Sequence, residues 1–220
     1  MEISSLFISL IKPFLWLLPI LIPVLILGAI LNSPWFKGKM GERAVRRLIE
    51  RRLDPSIYRA FSDITIPAED GTTQIDHIYV CPYGILVIET KNMAGWIYGS
   101  RNQAQWTQSI YRKKSRFQNP LRQNYKHVKT LESLLGLPLK TFKSIIVFTG
   151  DCTFKTEMPD EVCTLSDLIE YIHSIDDRIL SDSQISDICS KIESARLESS
   201  HRVHRDHVAH LNRRHQSDKS

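Results

Sequence analysis

The fold is indicated most clearly by residues 74–91, which read QIDHIYVCPYGILVIETK. Apolar and polar residues alternate from Thr73 to Val80, and this period of two predicts a strand with one buried face. Pro82-Tyr83-Gly84 is typical of a turn. The uninterrupted apolar run Ile85–Ile88 then predicts a central strand that is buried on both faces. The stretch is therefore predicted to be a β-hairpin whose second strand ends in Glu89-Thr90-Lys91.

Three charged residues of this hairpin are expected to lie close together. Residues i and i+2 of a strand share a face, so Glu89 and Lys91 project together from the end of the second strand. Pairing of the two strands brings Asp76 alongside them. Two carboxylates on neighbouring strands suit Mg²⁺, and a lysine beside them can orient a water and offset charge on a reacting phosphate. The alternatives are a solvated strand end at residues 89–91 and a salt bridge of Asp76.

Outward from the hairpin, the sequence predicts a mixture of helices and strands. Gly41–Leu53 carries an apolar stripe at helical spacing, and Asp54-Pro55 ends that helix. Pro120, at a favourable first helical position, opens a second helix that extends to about Leu135. The remaining predicted elements are strands at 58–67, 95–99, 105–111 and 144–148 and helices at 166–174 and 181–199. This order of elements indicates an α/β fold.

The composition of the 220-residue chain excludes several classes of protein. Hydrophobic residues make up 42% and charged residues 24%, which excludes a disordered polymer, a collagen-like repeat and a polytopic membrane protein. The formal net charge of +5 permits a polyanionic partner without requiring one. The cysteines form no CxxC pair, which argues against a cysteine-based zinc site and against a disulfide framework.

An apolar segment precedes the predicted domain. Residues 13–31 contain no charge, and as a helix they would extend about 28 Å, close to the hydrocarbon thickness of a bilayer. The main alternative is a cleavable signal peptide, whose apolar part is shorter. Seven Lys or Arg residues follow between residues 37 and 52. This distribution predicts a membrane anchor over residues 1–35, single-pass in the inner membrane, with the C-terminal domain in the cytoplasm.

Several motifs resemble those of the nuclease-related domain (NERD) family of the PD-(D/E)xK nuclease-like superfamily. They are Gly41-Glu42 at the start of a helix, Gln74-Ile75-Asp76-His77, Glu89-Thr90-Lys91, Gly95-Trp96, and Asn119-Pro120 with Gln123 and His127. The resemblance covers about residues 38–150. It implies an α-β-β-β-α-β core in a nuclease-related domain over residues 36–150, preceded here by one transmembrane helix.

The resemblance also implies metal-dependent hydrolysis of phosphodiester bonds in nucleic acid, with DNA favoured over RNA. The residues that it assigns to Mg²⁺ or Mn²⁺ are Asp76, Glu89 and, through its carbonyl, Thr90. Lys91 matches the water-positioning residue, Glu42 the helix-borne acid, and Gln123 the polar residue on the helix after the sheet. The alternative is a non-catalytic scaffold on the same fold, which binds nucleic acid or a protein at the membrane.

A basic segment precedes the second helix. Lys113, Lys114 and Arg116 lie there between aromatic Tyr111 and Phe117. Interleaved basic and aromatic residues favour phosphate contacts combined with base stacking. A solvated loop is the alternative.

The remaining segments are expected to have packing or electrostatic roles. Trp96 and Trp106 are predicted to pack the small hairpin of residues 95–111, and contact with a base is the alternative. Residues 151–200 are predicted to form a C-terminal helical extension. Residues 201–220 hold five of the eight histidines and are predicted to be a basic, loosely ordered tail. The three-residue spacing of the first four histidines does not direct them to one metal on a helix.

Overall fold

The computed structural model describes residues 18–69 and 71–196. Within these ranges the helices are α1 (Leu18–Asn32), α2 (Pro34–Arg52), α3 (Pro120–Leu135), α4 (Leu168–His173) and α5 (Asp182–Ala195). The strands are β1 (Arg59–Ala68), β2 (Gly71–Cys81), β3 (Gly84–Lys91), β4 (Gly95–Tyr98), β5 (Gln105–Ile110), β6 (Lys113–Gln118), β7 (Phe142–Phe148), β8 (Cys152–Phe154) and β9 (Val162–Thr164). The histidine-rich tail predicted at residues 201–220 lies outside the described residues.

β3 is the central strand of a five-stranded sheet with the order β1-β2-β3-β7-β9. It pairs antiparallel with β2, where His77 lies opposite Ile88, and parallel with β7, where Ile88 lies opposite Ile145. Successive β3 side chains enter two different cores. Val87 packs with residues of α3 and α5 on one face, whereas Leu86 and Ile88 pack with residues of α2 and α4 on the other. The prediction of a central strand buried on both faces is confirmed.

α3 has the bounds that the sequence predicts. The Asn119 side chain accepts a hydrogen bond from the Leu121 N–H and caps the helix, and Pro120 follows at a position where its missing N–H costs nothing. Gly136, with a φ of 67°, ends the helix in the left-handed conformation. The order α2-β1-β2-β3-α3-β7 follows the expected α-β-β-β-α-β pattern, with β4, β5 and β6 inserted before α3. The fold is therefore mixed α/β, as predicted.

The inserted strands build a second sheet with the order β6-β5-β4-β8. Trp106 on β5 is fully buried and packs with Ile97 and Phe148, so the predicted packing role is confirmed for this tryptophan. Trp96 on β4 is 50% exposed. The same prediction is wrong for Trp96, because its side chain lies on the opposite face of β4 from Ile97.

Three strands lie where the sequence pattern predicts none. β6 forms from the basic segment and pairs antiparallel with β5. β8 and β9 lie within residues 151–200, for which the sequence predicts a helical extension, and pair with β4 and β7. Strands of three residues are too short to show alternation in the sequence, and they form here because a neighbouring strand offers a partner. The helical prediction for this extension is therefore correct for α4 and α5 and wrong for β8 and β9.

The chain divides into two compact units, Met1–Met40 and Gly41–Ser220. In the first unit, α1 contains no charged residue, and most of its large apolar side chains are exposed. Among the described helices, none is by itself long and apolar enough to cross a membrane. Only Pro19–Asn32 and Pro34–Arg52, taken together as a bent pair, meet the requirement of length and composition. Residues 13–17 of the predicted transmembrane helix lie outside the described residues.

Candidate active site

The ends of β2 and β3 bring an aspartate of one strand to the main chain of the other. The Thr90 N–H donates a hydrogen bond to Asp76 Oδ2, with 2.9 Å between nitrogen and oxygen. In a strand the N–H and C=O of one residue point to the same side, so the Thr90 carbonyl also faces β2. The hydrogen bond extends the β2–β3 pairing beyond its last residue pair, His77 and Ile88.

Glu89 is the buried acid of the site, with 3% of its surface exposed. Its Oε1 accepts a hydrogen bond from Lys91 Nζ at 2.7 Å, and its Oε2 lies 3.2 Å from His127 Nε2. Burial alone would raise the pKa of Glu89, but His127 and Lys91 together hold that pKa below its ordinary value. Glu89 is therefore a carboxylate in the folded protein.

α3 supplies the two side chains that complete this cluster. Gln123 and His127 are four residues apart and share one face of the helix. Gln123 Oε1 accepts a second hydrogen bond from Lys91 Nζ, at 2.9 Å, and the Thr73 hydroxyl on β2 lies 2.9 Å from His127 Nδ1. The Lys91 ammonium is thus directed by two acceptors on different elements, and the His127 ring lies between the Thr73 hydroxyl and the Glu89 carboxylate.

Buried Asn124 fixes α3 to the main sheet next to these residues. Its amide donates to the Val87 carbonyl and to the Ser144 hydroxyl, both at 2.8 Å. An unpaired amide in such a buried position would be costly, so these two bonds favour one orientation of the helix. The position of Gln123 relative to Lys91 depends on that orientation.

Asp76 is crowded by negative charge. Burial and the neighbouring carboxylates of Glu89 and Glu42 raise the pKa of Asp76 to about 7, against a lowering by the Thr90 hydrogen bond and by Lys91. A buried carboxyl whose pKa is raised by neighbouring acids marks a place where a cation is favourable, since the cation offsets their repulsion.

α2 reaches this cluster through a close contact at Gly41. A Cβ added there would lie 2.6 Å from Thr149 Oγ1 and 2.9 Å from the Asn92 Cβ. Only glycine fits that separation, and the next residue along α2 is Glu42. The Gly41-Glu42 pair of the sequence motif therefore has a physical explanation: the glycine allows the helix to approach, and the acid then acts on Asp76.

The residues fit a hard divalent metal by donor type and charge. Asp76 and Glu89 offer carboxylate oxygens and Thr90 offers a carbonyl that faces the same strand, which are the ligands that Mg²⁺ prefers. Over residues 18–69 and 71–196, no group of three or more His, Cys, Asp or Glu side chains is arranged to hold a metal ion. A metal at this position would therefore depend on main-chain oxygen or water beside the two carboxylates.

The predicted site residues thus fall into two sets. The structure brings together Asp76, Glu89, Thr90, Lys91 and Gln123, with Glu42 close enough to affect the charge of Asp76. It places Lys113, Lys114 and Arg116 elsewhere, on the edge strand β6 of the second sheet.

Three residues of the cluster have no role that the sequence assigns. The sequence pattern indicates His127 as a site residue, because it follows Gln123 by one helical turn. It indicates Asn124 more weakly, as a polar residue among the apolar positions of α3. No sequence pattern indicates Thr73, since its contact with His127 joins residues 54 positions apart.

Comparisons with known proteins agree with this geometry. Residues 37–149, about half of the chain, match the family model described as nuclease-related domain. An uncharacterized protein of Bacillus anthracis is 40% identical over 200 residues, which cover 87% of this chain and 93% of that protein. No solved structure matches the chain.

Proposed function

The chain belongs to the nuclease-related domain family, and from that premise we propose that it is a metal-dependent nuclease that hydrolyses phosphodiester bonds, in DNA rather than RNA. The observation that carries the proposal is the position of Lys91 Nζ, which lies 2.7 Å from Glu89 Oε1 and 2.9 Å from Gln123 Oε1. A lysine paired with a buried carboxylate beside a second acid, Asp76, is suited to phosphoryl chemistry.

Asp76, Glu89 and the Thr90 carbonyl would hold Mg²⁺ or Mn²⁺. When bound, such an ion lowers the pKa of a coordinated water and offsets charge on the phosphate. The raised pKa of Asp76, caused by burial and by the nearby acids, supports the assignment. Ionisation of this carboxyl is costly in the metal-free protein and becomes favourable once a cation is present.

Lys91 is proposed to orient the attacking water and to stabilise negative charge that develops on the phosphate. Its side chain is 20% exposed, and two of the ammonium hydrogens are directed to Glu89 and Gln123. A fixed ammonium in a largely buried site acts more strongly than one in water, because water screens charge. Glu42 is proposed to assist through its effect on Asp76, and Gln123 by fixing Lys91.

His127 and Thr73 are proposed to position Glu89. His127 Nε2 lies against one carboxylate oxygen and Lys91 Nζ against the other, so the carboxylate plane has little freedom to rotate. Fixing a ligand through a second layer of hydrogen bonds is a general feature of metal sites. Lys113, Lys114 and Arg116, all exposed on β6, are proposed to contact the phosphates of the nucleic acid.

We also propose that the N-terminal segment anchors the protein in the inner membrane, with the nuclease-related domain in the cytoplasm. Support comes from the uncharged apolar run of residues 13–31 and from the basic residues that follow it. The exposed apolar side chains of α1, among them Ile20 and Leu25, favour a lipid environment over water.

The proposal is tested by incubating the purified full chain with supercoiled plasmid and with RNA, with and without Mg²⁺ or Mn²⁺. Glu89→Gln and Asp76→Asn keep the side-chain size and remove a ligand charge, so both are expected to lose metal-dependent cleavage. Glu193→Gln, at an exposed acid on α5, is the matched control. Binding without cleavage in the wild type, unchanged in both acid variants, would instead support a non-catalytic scaffold.

A further inference from the structure

One face of the second sheet carries aromatic and basic side chains that the carboxylate cluster does not use. In the β4–β5 pairing Trp96 lies opposite Ser109, and in the β5–β6 pairing Ser109 lies opposite Lys114. Opposed residues share a face of a sheet, and so do residues two apart on one strand. The outer face is defined here as Trp96, Tyr98, Lys114, Arg116 and Lys155.

The opposite face of the same sheet is buried around Ile97 and Trp106. Ile97 and Trp106 belong to an apolar core there, and Phe117 and Phe154 pack against it. The alternation along β4 and β6 consequently turns Trp96, Lys114 and Arg116 away from that core. Trp96 is 50% exposed, although a large aromatic ring gains most by burial. The sheet thus has a structural face and an accessible face.

The outer face has one sign of charge. β4, β5, β6 and β8 contain no Asp or Glu, whereas Lys114 and Arg116 are both exposed on β6. Lys155 Nζ lies 4.8 Å from the centre of the Trp96 ring, which is within the range of a cation–π contact. Aromatic surface and positive charge therefore occur side by side.

The turn that joins β5 and β6 presents a further aromatic residue at a conformational cost. Tyr111 has a φ of 52°, in the left-handed region, and its side chain is 99% exposed. Asn or Gly is the usual residue at such a position in a two-residue hairpin turn. Packing among the described residues does not explain a tyrosine here, so the residue is better explained by contact with a ligand.

We propose that the outer face, with Tyr111 at its edge, binds single-stranded nucleic acid. A base stacks on Trp96, and Lys114, Arg116 and Lys155 contact the phosphates beside it. A single strand fits better than a duplex, because the bases of a duplex are stacked on one another and expose no ring face to a protein surface. The inference deepens the proposed function and rests on it for the identity of the partner as nucleic acid.

The outer face is close along the chain to the carboxylate cluster. Lys91 ends β3, and Trp96 is the second residue of β4. Trp96 follows Lys91 by five positions in the sequence, so their Cα atoms are at most about 18 Å apart. This distance is short enough for one bound strand to occupy both places, with the scissile phosphate at the cluster and an unpaired base on Trp96.

The test measures binding of the full chain to labelled strands of about 20 nucleotides, which are longer than a typical single-strand site. EDTA is present, so that no metal-dependent cleavage takes place. Single-stranded DNA, single-stranded RNA of the same sequence and duplex DNA are compared.

Trp96→Ala is expected to weaken single-strand binding about tenfold, since one stacked base is lost, and Trp96→Phe is expected to restore most of it. Lys114→Gln should weaken binding. It should also lower the salt dependence of the binding constant by the amount expected for the loss of about one phosphate contact. The matched control is Lys140→Gln, which removes the same charge at an exposed lysine outside the second sheet.

Tyr111→Asn separates a binding role from a structural one. Asparagine tolerates the left-handed region better than tyrosine, so the variant should keep or raise the melting temperature while it weakens single-strand binding. Full single-strand affinity in Trp96→Ala, equal effects of Lys140→Gln and Lys114→Gln, or equal affinity for duplex and single strand would each overturn the inference. Plasmid cleavage with Mg²⁺ is the separate readout for the proposed function, because these variants lie outside the carboxylate cluster.

Discussion

Asp76 on β2 accepts a hydrogen bond from the main-chain N–H of Thr90 on β3, at 2.9 Å. This bond brings a carboxylate of one strand to the residue between Glu89 and Lys91 of the next, and it orients the Thr90 peptide toward β2. The candidate metal ligands are therefore related by the backbone of a hairpin, which holds them more rigidly than a loop would.

The contribution of Asp76 to the stability of the metal-free protein should fall as pH rises from about 4 to about 7. The pKa of Asp76 is raised to about 7 in the folded protein, from an ordinary value of 3.8, because burial and nearby acids disfavour its ionised form. The stability contributed by neutral Asp76 is thus complete below about pH 4 and is lost as pH rises through about 7. Melting temperatures in EDTA should fall less steeply over this range in Asp76→Asn than in the wild type. Parallel curves would contradict the assigned environment of Asp76.

Gly41→Ala should destabilise the domain by about 1–3 kcal/mol, because the new Cβ would overlap Thr149 and Asn92. It should also lower nuclease activity, since the shift of α2 moves Glu42. Gly38→Ala is the control on the same helix, where an added Cβ meets nothing within 4 Å. That variant should be neutral or stabilise the protein by up to about 1 kcal/mol. Chemical denaturation measures both, and equal effects would refute the close contact at Gly41.

His127→Leu should lower stability at pH 7 by about 1–3 kcal/mol, because it leaves one oxygen of buried Glu89 without a partner. Glu89→Gln in the same background should recover part of the loss, since the neutral amide is less costly to bury. A double-mutant cycle from denaturant unfolding measures this coupling. Additive effects of the two changes would show that His127 does not act through Glu89.

A reporter fused after Ser220 should behave as a cytoplasmic protein, and the full chain should fractionate with membranes. The reason is the one-sided distribution of Lys and Arg after residue 31. Replacing Lys37, Lys39 and Arg43 by Gln should weaken the orientation while leaving membrane association intact. Reporter activity on the other side of the membrane would contradict the proposed topology.

Much of the fold could be predicted because it depends on local patterns. The apolar run Ile85–Ile88, the Asn119-Pro120 helix start and the terminating Gly136 each determine an element without help from distant residues. β8 and β9 could not be predicted, since three-residue strands owe their existence to the strands that they pair with. The exposure of Trp96 could not be predicted for a related reason: which face of β4 is buried depends on where Phe148 lies.

The candidate site likewise contains residues that local patterns predict and residues that only tertiary packing brings together. The i, i+2 spacing places Glu89 and Lys91 on one face, and hairpin pairing brings Asp76 to them, so these three could be named in advance. The contacts of Glu89 with His127 and of His127 with Thr73 could not, because they depend on the packing of α3 across the sheet. Sequence patterns thus identify the charged groups, and tertiary packing determines their protonation and orientation.

The most direct test of the central claim is single-turnover plasmid cleavage by Lys91→Met in saturating Mg²⁺. Methionine keeps the apolar stem and removes the ammonium, so the rate should fall by orders of magnitude, because the lost interaction acts mainly in the transition state. Metal binding, followed as the Mg²⁺-dependent rise in melting temperature, should persist. Lys140→Met, at an exposed lysine, should cleave like the wild type. Cleavage by Lys91→Met at the full wild-type rate would contradict the proposed role of the ammonium.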